Sequence, residues 1–160
     1  MVRKATVNDI DQIAEIYNAA RAFMRQTGNP TQWSGGYPQR ELTAEDIKEG
    51  KLYVVELEDR LCGVFYFNIG IDPTYLKIDG AWGSDAPYGV IHRIASDGSA
   101  RGVFSEALNF CREQIAHIRI DTHEDNKVMQ LVLSKHGFKH CGTIYLANGD
   151  PRRAYELISN

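Results

Sequence analysis

The chain has no long hydrophobic run. Its apolar stretches reach only about five residues, as over 64–67, where a membrane span needs roughly 20. Charge of one sign is also lacking. Eighteen Lys and Arg stand against 21 Asp and Glu, a formal net charge of -3, which argues against a nucleic-acid binder with its usual basic excess. Cysteine is scarce: Cys62, Cys111 and Cys141 are widely spaced, with no pair at CxxC spacing. They read as reduced thiols and point to the cytoplasm, not to a disulfide framework. Arg3 and Lys4 lead straight into the polar stretch 6–12 with no apolar segment, so no signal peptide and no membrane partner are expected. There are no repeats and no low-complexity tracts. What is present, 43% hydrophobic and 24% charged residues in 160, fits one ordinary globular domain spanning 1–160. A chain of that size buries roughly 70% of its unfolded surface without staples.

Periodicity predicts alternating strands and helices. Residues 2–5 form a short strand, and Thr6-x-x-Asp9 opens a helix in the manner of a capping box. Ile10, Ile13, Ile16, Tyr17, Ala20, Phe23 and Met24 recur at helical spacing until Gly28-Asn29-Pro30 stops them. A loop over 29–38 precedes a second helix opening at Thr43. The segments 52–58 and 61–67, rich in β-formers and split by Glu58-Asp59-Arg60, predict a hairpin. A turn-rich connection over 70–87 leads to a strand over 88–95. Val103, Phe104, Ala107, Leu108, Cys111 and Ile115 then mark a helix. A strand over 118–122, a helix over 126–136 with Gly137 as its stop, and an antiparallel pair over 141–146 and 153–158 complete the chain. The order β-α-α-β-β-β-α-β-α-β-β predicts a single α/β (α+β) domain on a mixed sheet of about seven strands with about four helices.

The segment from His92 to Ser105, HRIASDGSARGVFS, carries the most chemistry. A strand runs into a small-residue loop that opens a helix. Free N–H groups there, together with the helix dipole, suit a phosphate. Arg101 adds a charge and Ser105 a hydroxyl; an ordinary strand–helix connection is the plainer alternative. No Gly-Lys-Ser/Thr and no GxGxxG is present, which excludes the common nucleotide loops.

Ser99-Ala100-Arg101-Gly102-Val103-Phe104 resembles the Gln/Arg-x-x-Gly-x-Gly/Ala loop of the GNAT superfamily of N-acetyltransferases, departing from it at Ser99 and Phe104. Asn126, the helix that follows and Gly137-Phe138 resemble that family's later signature, and Arg3-Lys4-Ala5-Thr6 with Asp9 its opening. The resemblance implies a sheet that splays between its fourth and fifth strands, and acetyl-CoA as cofactor. Its pantetheine arm would meet Ile94, Ala95 and Ser96, with Asn126 and Met129 facing it. Its pyrophosphate would meet the amides of Ala100, Arg101, Gly102, Val103, Phe104 and Ser105, the Phe104 side chain turning away into the core. Acetyl would pass to a primary amine, on a small molecule or a peptide, by direct attack in a ternary complex. Many relatives are dimers, so a homodimer is an open expectation.

Candidate catalytic groups follow from the amine's protonation. An amine with a lysine-like pKa is neutral in about one molecule in 2,500 at pH 7, a cost of roughly 4–5 kcal/mol. His92 is the first candidate base, imidazole being suited to accept a proton near neutrality; the alternative is a half-buried strand histidine. Where many relatives carry a Tyr to protonate the thiolate, this chain has Leu133. Tyr145 is the substitute candidate, with core packing as its alternative. Trp33 and Tyr37 suit a lid over the acceptor or a hydrophobic plug. Asp121, His123 and Asp125 alternate at a strand end, where acceptor contacts, helix capping or a metal site including His136 or His140 are all open. Two further readings of the whole chain are a non-catalytic acyl-CoA-binding module and a metal-dependent hydrolase on the Asp121–Asp125 cluster.

Overall fold

The computed structural model describes residues 1–158. Eight strands form one sheet in the order β1-β2-β3-β5-β6-β8-β7-β4. They are β1 (Val2–Lys4), β2 (Leu52–Leu57), β3 (Arg60–Ile69), β4 (Asp79–Gly80), β5 (Gly89–Ser96), β6 (His117–Thr122), β7 (Lys139–Tyr145) and β8 (Pro151–Ile158). Four α-helices flank them: α1 (Ile10–Gln26), α2 (Arg40–Lys48), α3 (Val103–Arg112) and α4 (Lys127–Lys135). Among the described residues only β5 and β6 run parallel. None of these helices is long and apolar enough to cross a membrane.

Period-2 alternation sorts the two faces. On β2, Leu52 and Val54 pack under Ile13, Ile16, Tyr17 and Ala20 of α1. Tyr53 and Val55 pack on the other face with Ala107, Leu108 and Cys111 of α3. The β2 sequence therefore reads as continuously apolar because both its faces are covered. A third cluster, with Tyr75, Tyr88, Val90, Ile144 and Ala154, lies under the connection that follows β3.

Several boundaries differ from the sequence expectation. The helix α2 begins at Arg40, three residues before Thr43, because the Thr43 hydroxyl bonds the Gln39 carbonyl inside the first turn and does not cap it. The helix α3 ends at Arg112, ahead of Ile115, whose amide bonds the Cys111 carbonyl just past the last turn. The eighth strand, β4, has two residues and pairs at the sheet edge with Thr143 and Gly142; nothing in a two-residue segment signals a strand in advance.

Candidate active site

The site arises where β5 and β6 part. They pair only from Gly89 with Ile118 to Ile91 with Ile120. Beyond that point β5 carries a bulge: Tyr66 of β3 faces His92 and Val64 faces Ala95, so two residues of β5 oppose one of β3. Arg93 takes the strained turn, at φ 49°. The extra residue reverses the alternation, so Ile94 packs toward α3 while Ala95 is buried under α1.

The parted strands open into a cavity of about 450 Å³. His92 lies on its wall, and its Nε2 is 2.7 Å from Asp72 Oδ2. The second Asp72 oxygen accepts from the amide and hydroxyl of Thr74, at 3.0 and 2.6 Å. Burial opposes the charge on Asp72, but the hydrogen bonds from His92 and Thr74 outweigh it and hold the carboxyl at about 2. On the opposite side, His92 Nδ1 lies 3.8 Å from Asp121 Oδ2, and that carboxylate accepts the Tyr75 hydroxyl at 2.6 Å. The imidazole thus stands between two carboxylates, with the rings of Tyr66 and Tyr75 beside it.

The Asp72 pairing has a measurable consequence. Asp72→Asn is expected to lower stability by roughly 2 kcal/mol at pH 7, seen as an earlier denaturant midpoint. A carboxyl with a depressed folded pKa stabilises above its ordinary value and loses that contribution as pH falls through about 2. The difference between variant and parent should therefore narrow on acidification below pH 4. A constant difference from pH 7 to pH 3 would contradict it.

The loop between α1 and α2 closes one side of the cavity. Trp33 is both wall and plug: it lines the space yet is buried edge-on against Tyr17 and Tyr37. The Gln32 side-chain oxygen accepts from Asn29 Nδ2 at 2.9 Å, Asn126 Nδ2 at 3.1 Å and Thr122 Oγ1 at 3.4 Å. One amide therefore joins the loop to the end of β6 and the start of α4. Asn126 also caps α4, its Oδ1 accepting from the Met129 amide at 3.0 Å. Both Asn126 and Met129 face the cavity.

The loop after β5 lies apart from this cavity and is built for close approach. Asp97 Oδ1 accepts the Ser99 amide at 2.8 Å and its hydroxyl at 2.6 Å, and the Ser96 hydroxyl accepts the Gly98 amide at 3.1 Å. Gly102, at φ 92°, precedes α3, and among the described residues no side chain caps that helix. The first-turn amides of Val103, Phe104 and Ser105 thus have no side-chain partner, and Ala100 and Arg101 flank them. The Phe104 ring turns to His136 and Phe138, at centroid distances of 4.9 and 6.3 Å. Ser105 Oγ lies 3.0 Å from His136 Nε2.

Tyr145, Leu133 and His123 are not on the cavity lining. Tyr145 is exposed and its hydroxyl donates to Asp79 at 2.8 Å; strand alternation buries Ile144 and turns Tyr145 away from the cavity, so neither the acid role nor core packing holds. Leu133, at the position of the usual Tyr, is wholly buried in the core under the sheet. His123 accepts the Asp125 amide at 2.9 Å and lies 3.3 Å from Thr31 Oγ1, tying the loop to the strand end. No group of three His, Cys, Asp or Glu side chains among the described residues is arranged to hold a metal ion.

Asp72, Gln32, Arg152 and the buried Arg93–Asp46 pair are site residues that the sequence did not single out. Asp72 sits in a turn-rich connection where Asp-Pro signals only a turn, and its partnership with His92 spans 20 residues.

No family model and no curated protein matches the sequence. Solved structures do. A GNAT-family acetyltransferase from Streptococcus agalactiae is 34% identical over 100% of this chain and 95% of its own, with a TM-score of 0.89. Acetyltransferases of the GNAT family from Listeria monocytogenes (20% identity, 98% and 92% covered, TM-score 0.70) and Bacillus cereus (22%, 100% and 97%, 0.62) share the fold.

Proposed function

The chain belongs to the GNAT family of acetyltransferases, and from that premise we propose that it transfers acetyl from acetyl-CoA to a primary amine by direct attack, with His92 as the general base. The observation that carries the reading is His92 between Asp72 and Asp121 on the wall of a cavity opened by the β5–β6 parting. The uncapped start of α3 and the small-residue loop before it fit a pyrophosphate. The exposed backbone edge of β5 beyond Ile91 fits a pantetheine amide chain. When bound, acetyl-CoA supplies a thioester whose acyl carbon takes the amine nitrogen and whose thiolate then leaves.

The chain's own residues handle the proton. Asp72 accepts from Nε2–H of His92, which leaves Nδ1 as the lone-pair nitrogen facing Asp121. An incoming ammonium can bridge the two from the cavity side, donating one hydrogen bond to Nδ1 and one to the Asp121 carboxylate. The proton then moves to Nδ1, and the resulting imidazolium is stabilised by both carboxylates. No general acid is assigned: a thiolate with a pKa near 8.5 is a tolerable leaving group. Buried free thiols at Cys62 and Cys111 support a cytoplasmic setting.

Thermal unfolding with acetyl-CoA at about 100 times its dissociation constant tests the reading. The expected gain is roughly 2.7 kcal/mol, or a melting shift of about 5–11 °C, larger than that given by adenosine diphosphate. Equal shifts, or none, would remove acetyl-CoA from the account. Thiol release with an amine panel then separates a transferase from a binding module.

A further inference from the structure

One buried cation in the cavity has no carboxylate partner among the described residues. Arg93 is paired with Asp46 at 2.8 Å. Arg119 lies against Glu156 and between the rings of Trp82 and Tyr88. Arg152 is only 8% exposed, yet its guanidinium's one hydrogen bond among the described residues is to the neighbouring carbonyl of Pro151, at 2.9 Å. No acidic side chain among them lies within ion-pair distance of it. Asp150, also on the cavity wall, has its Oδ2 engaged by Asn148 at 3.1 Å. Its other guanidinium N–H groups have no protein partner among the described residues, and the side chain lines a cavity of about 450 Å³, wide enough for a small molecule.

Its position relative to His92 is set by the sheet. Asp121 of β6 is directly opposite Ala154 of β8. Arg152, two residues from Ala154, is therefore on the same face as Asp121, and diagonal neighbours of this kind are about 7–8 Å apart. On one wall, then, stand an ammonium-binding pair, His92 Nδ1 with Asp121, and a free guanidinium within side-chain reach of it. Such a pairing matches a molecule that carries an amine and an anion a few bonds apart. A planar guanidinium prefers a carboxylate for its two-pronged geometry.

We propose that the acceptor is an amine that also bears a carboxylate, an amino acid or a close analogue, with Arg152 receiving the carboxylate while Asp121 and His92 receive the amine. The assignment rests on the acetyl-transfer reading above. Arg152 takes no part in moving the proton; it selects and orients.

The test uses the full chain with acetyl-CoA and a panel of amino acids, each offered as the free carboxylate and as its primary amide, with butylamine as the tailless control. The free carboxylates are expected to show kcat/KM roughly 10- to 100-fold above their amides, the usual factor for a hydrogen bond to a charged group. An amide lowers the pKa of its amine and by itself favours the amide form, so this preference would run against intrinsic reactivity. Arg152→Gln should abolish the preference mainly through KM, and Arg152→Lys should restore part of it. Should Arg152→Gln fail to fold, the carboxylate-to-amide ratio of the parent chain decides alone. Amides or butylamine acetylated as well as the carboxylates would overturn the assignment and leave acetyl transfer standing. Absence of both an acetyl-CoA melting shift and transfer to any amine would instead overturn the transfer reading on which it rests.

Discussion

His92→Gln is expected to lower kcat/KM for acetyl transfer by about 10²- to 10⁴-fold while leaving the acetyl-CoA melting shift intact. The reasoning starts from the amine, which at neutral pH is almost wholly protonated and cannot attack. His92 is the titratable group on the cavity wall with one nitrogen committed to a carboxylate and the other facing a second. Glutamine keeps hydrogen-bonding capacity toward Asp72 and removes the proton acceptor. A packing role between Tyr66 and Tyr75 predicts the reverse pattern: a lower melting point with turnover preserved. Measuring kcat/KM and melting on the same preparation separates them. A loss below about threefold would remove His92 from the chemistry.

Arg93→Met is expected to destabilise the fold by about 3–5 kcal/mol, lowering the melting point by roughly 6–20 °C. Arg93 joins the β5 bulge to α2. Its Nη2 and Nε reach Asp46 Oδ2 at 2.8 and 3.1 Å, and its guanidinium lies 4.6 Å from the Tyr66 ring centre. Burial pushes the Asp46 carboxyl above its ordinary range even against the pull of Arg93. Without Arg93, Asp46 must hold an unpartnered buried charge or a proton. A carboxyl whose folded pKa is raised destabilises more as pH rises, so the variant should lose most near pH 8 and least near pH 4. Adding Asp46→Leu removes the stranded acid and is expected to recover more than half of the loss. A single-variant cost under about 1 kcal/mol would mean that the pair does not brace the bulge.

Much of the fold was legible because its signals are local. Periods of two and 3.6 placed all four helices and seven of the eight strands, since each element needs its own apolar face. The small-residue loop before α3 was legible for the same reason: Gly98 and Gly102 both take positive φ, at 79° and 92°, where a side chain would be strained. His92 was singled out from its place on a strand beside that loop. Tyr145 was misread because one sequence does not tell which face of β7 is covered. Thr43, Asn126 and His123 show the other limit: a polar side chain near a helix start or strand end bonds whatever backbone or loop the fold presents.

The sequence by itself determined a mixed α/β domain with a small-residue, glycine-bearing loop between a strand and a helix. It did so because backbone propensity, apolar period and glycine geometry act over a few residues. Only the tertiary structure decided what stands around His92. Asp72 comes from a connection 20 residues before it, Asp121 from the neighbouring strand and Arg152 from the strand beyond. They meet because β5 and β6 separate after three paired residues, and no local rule in the chain states where two strands part.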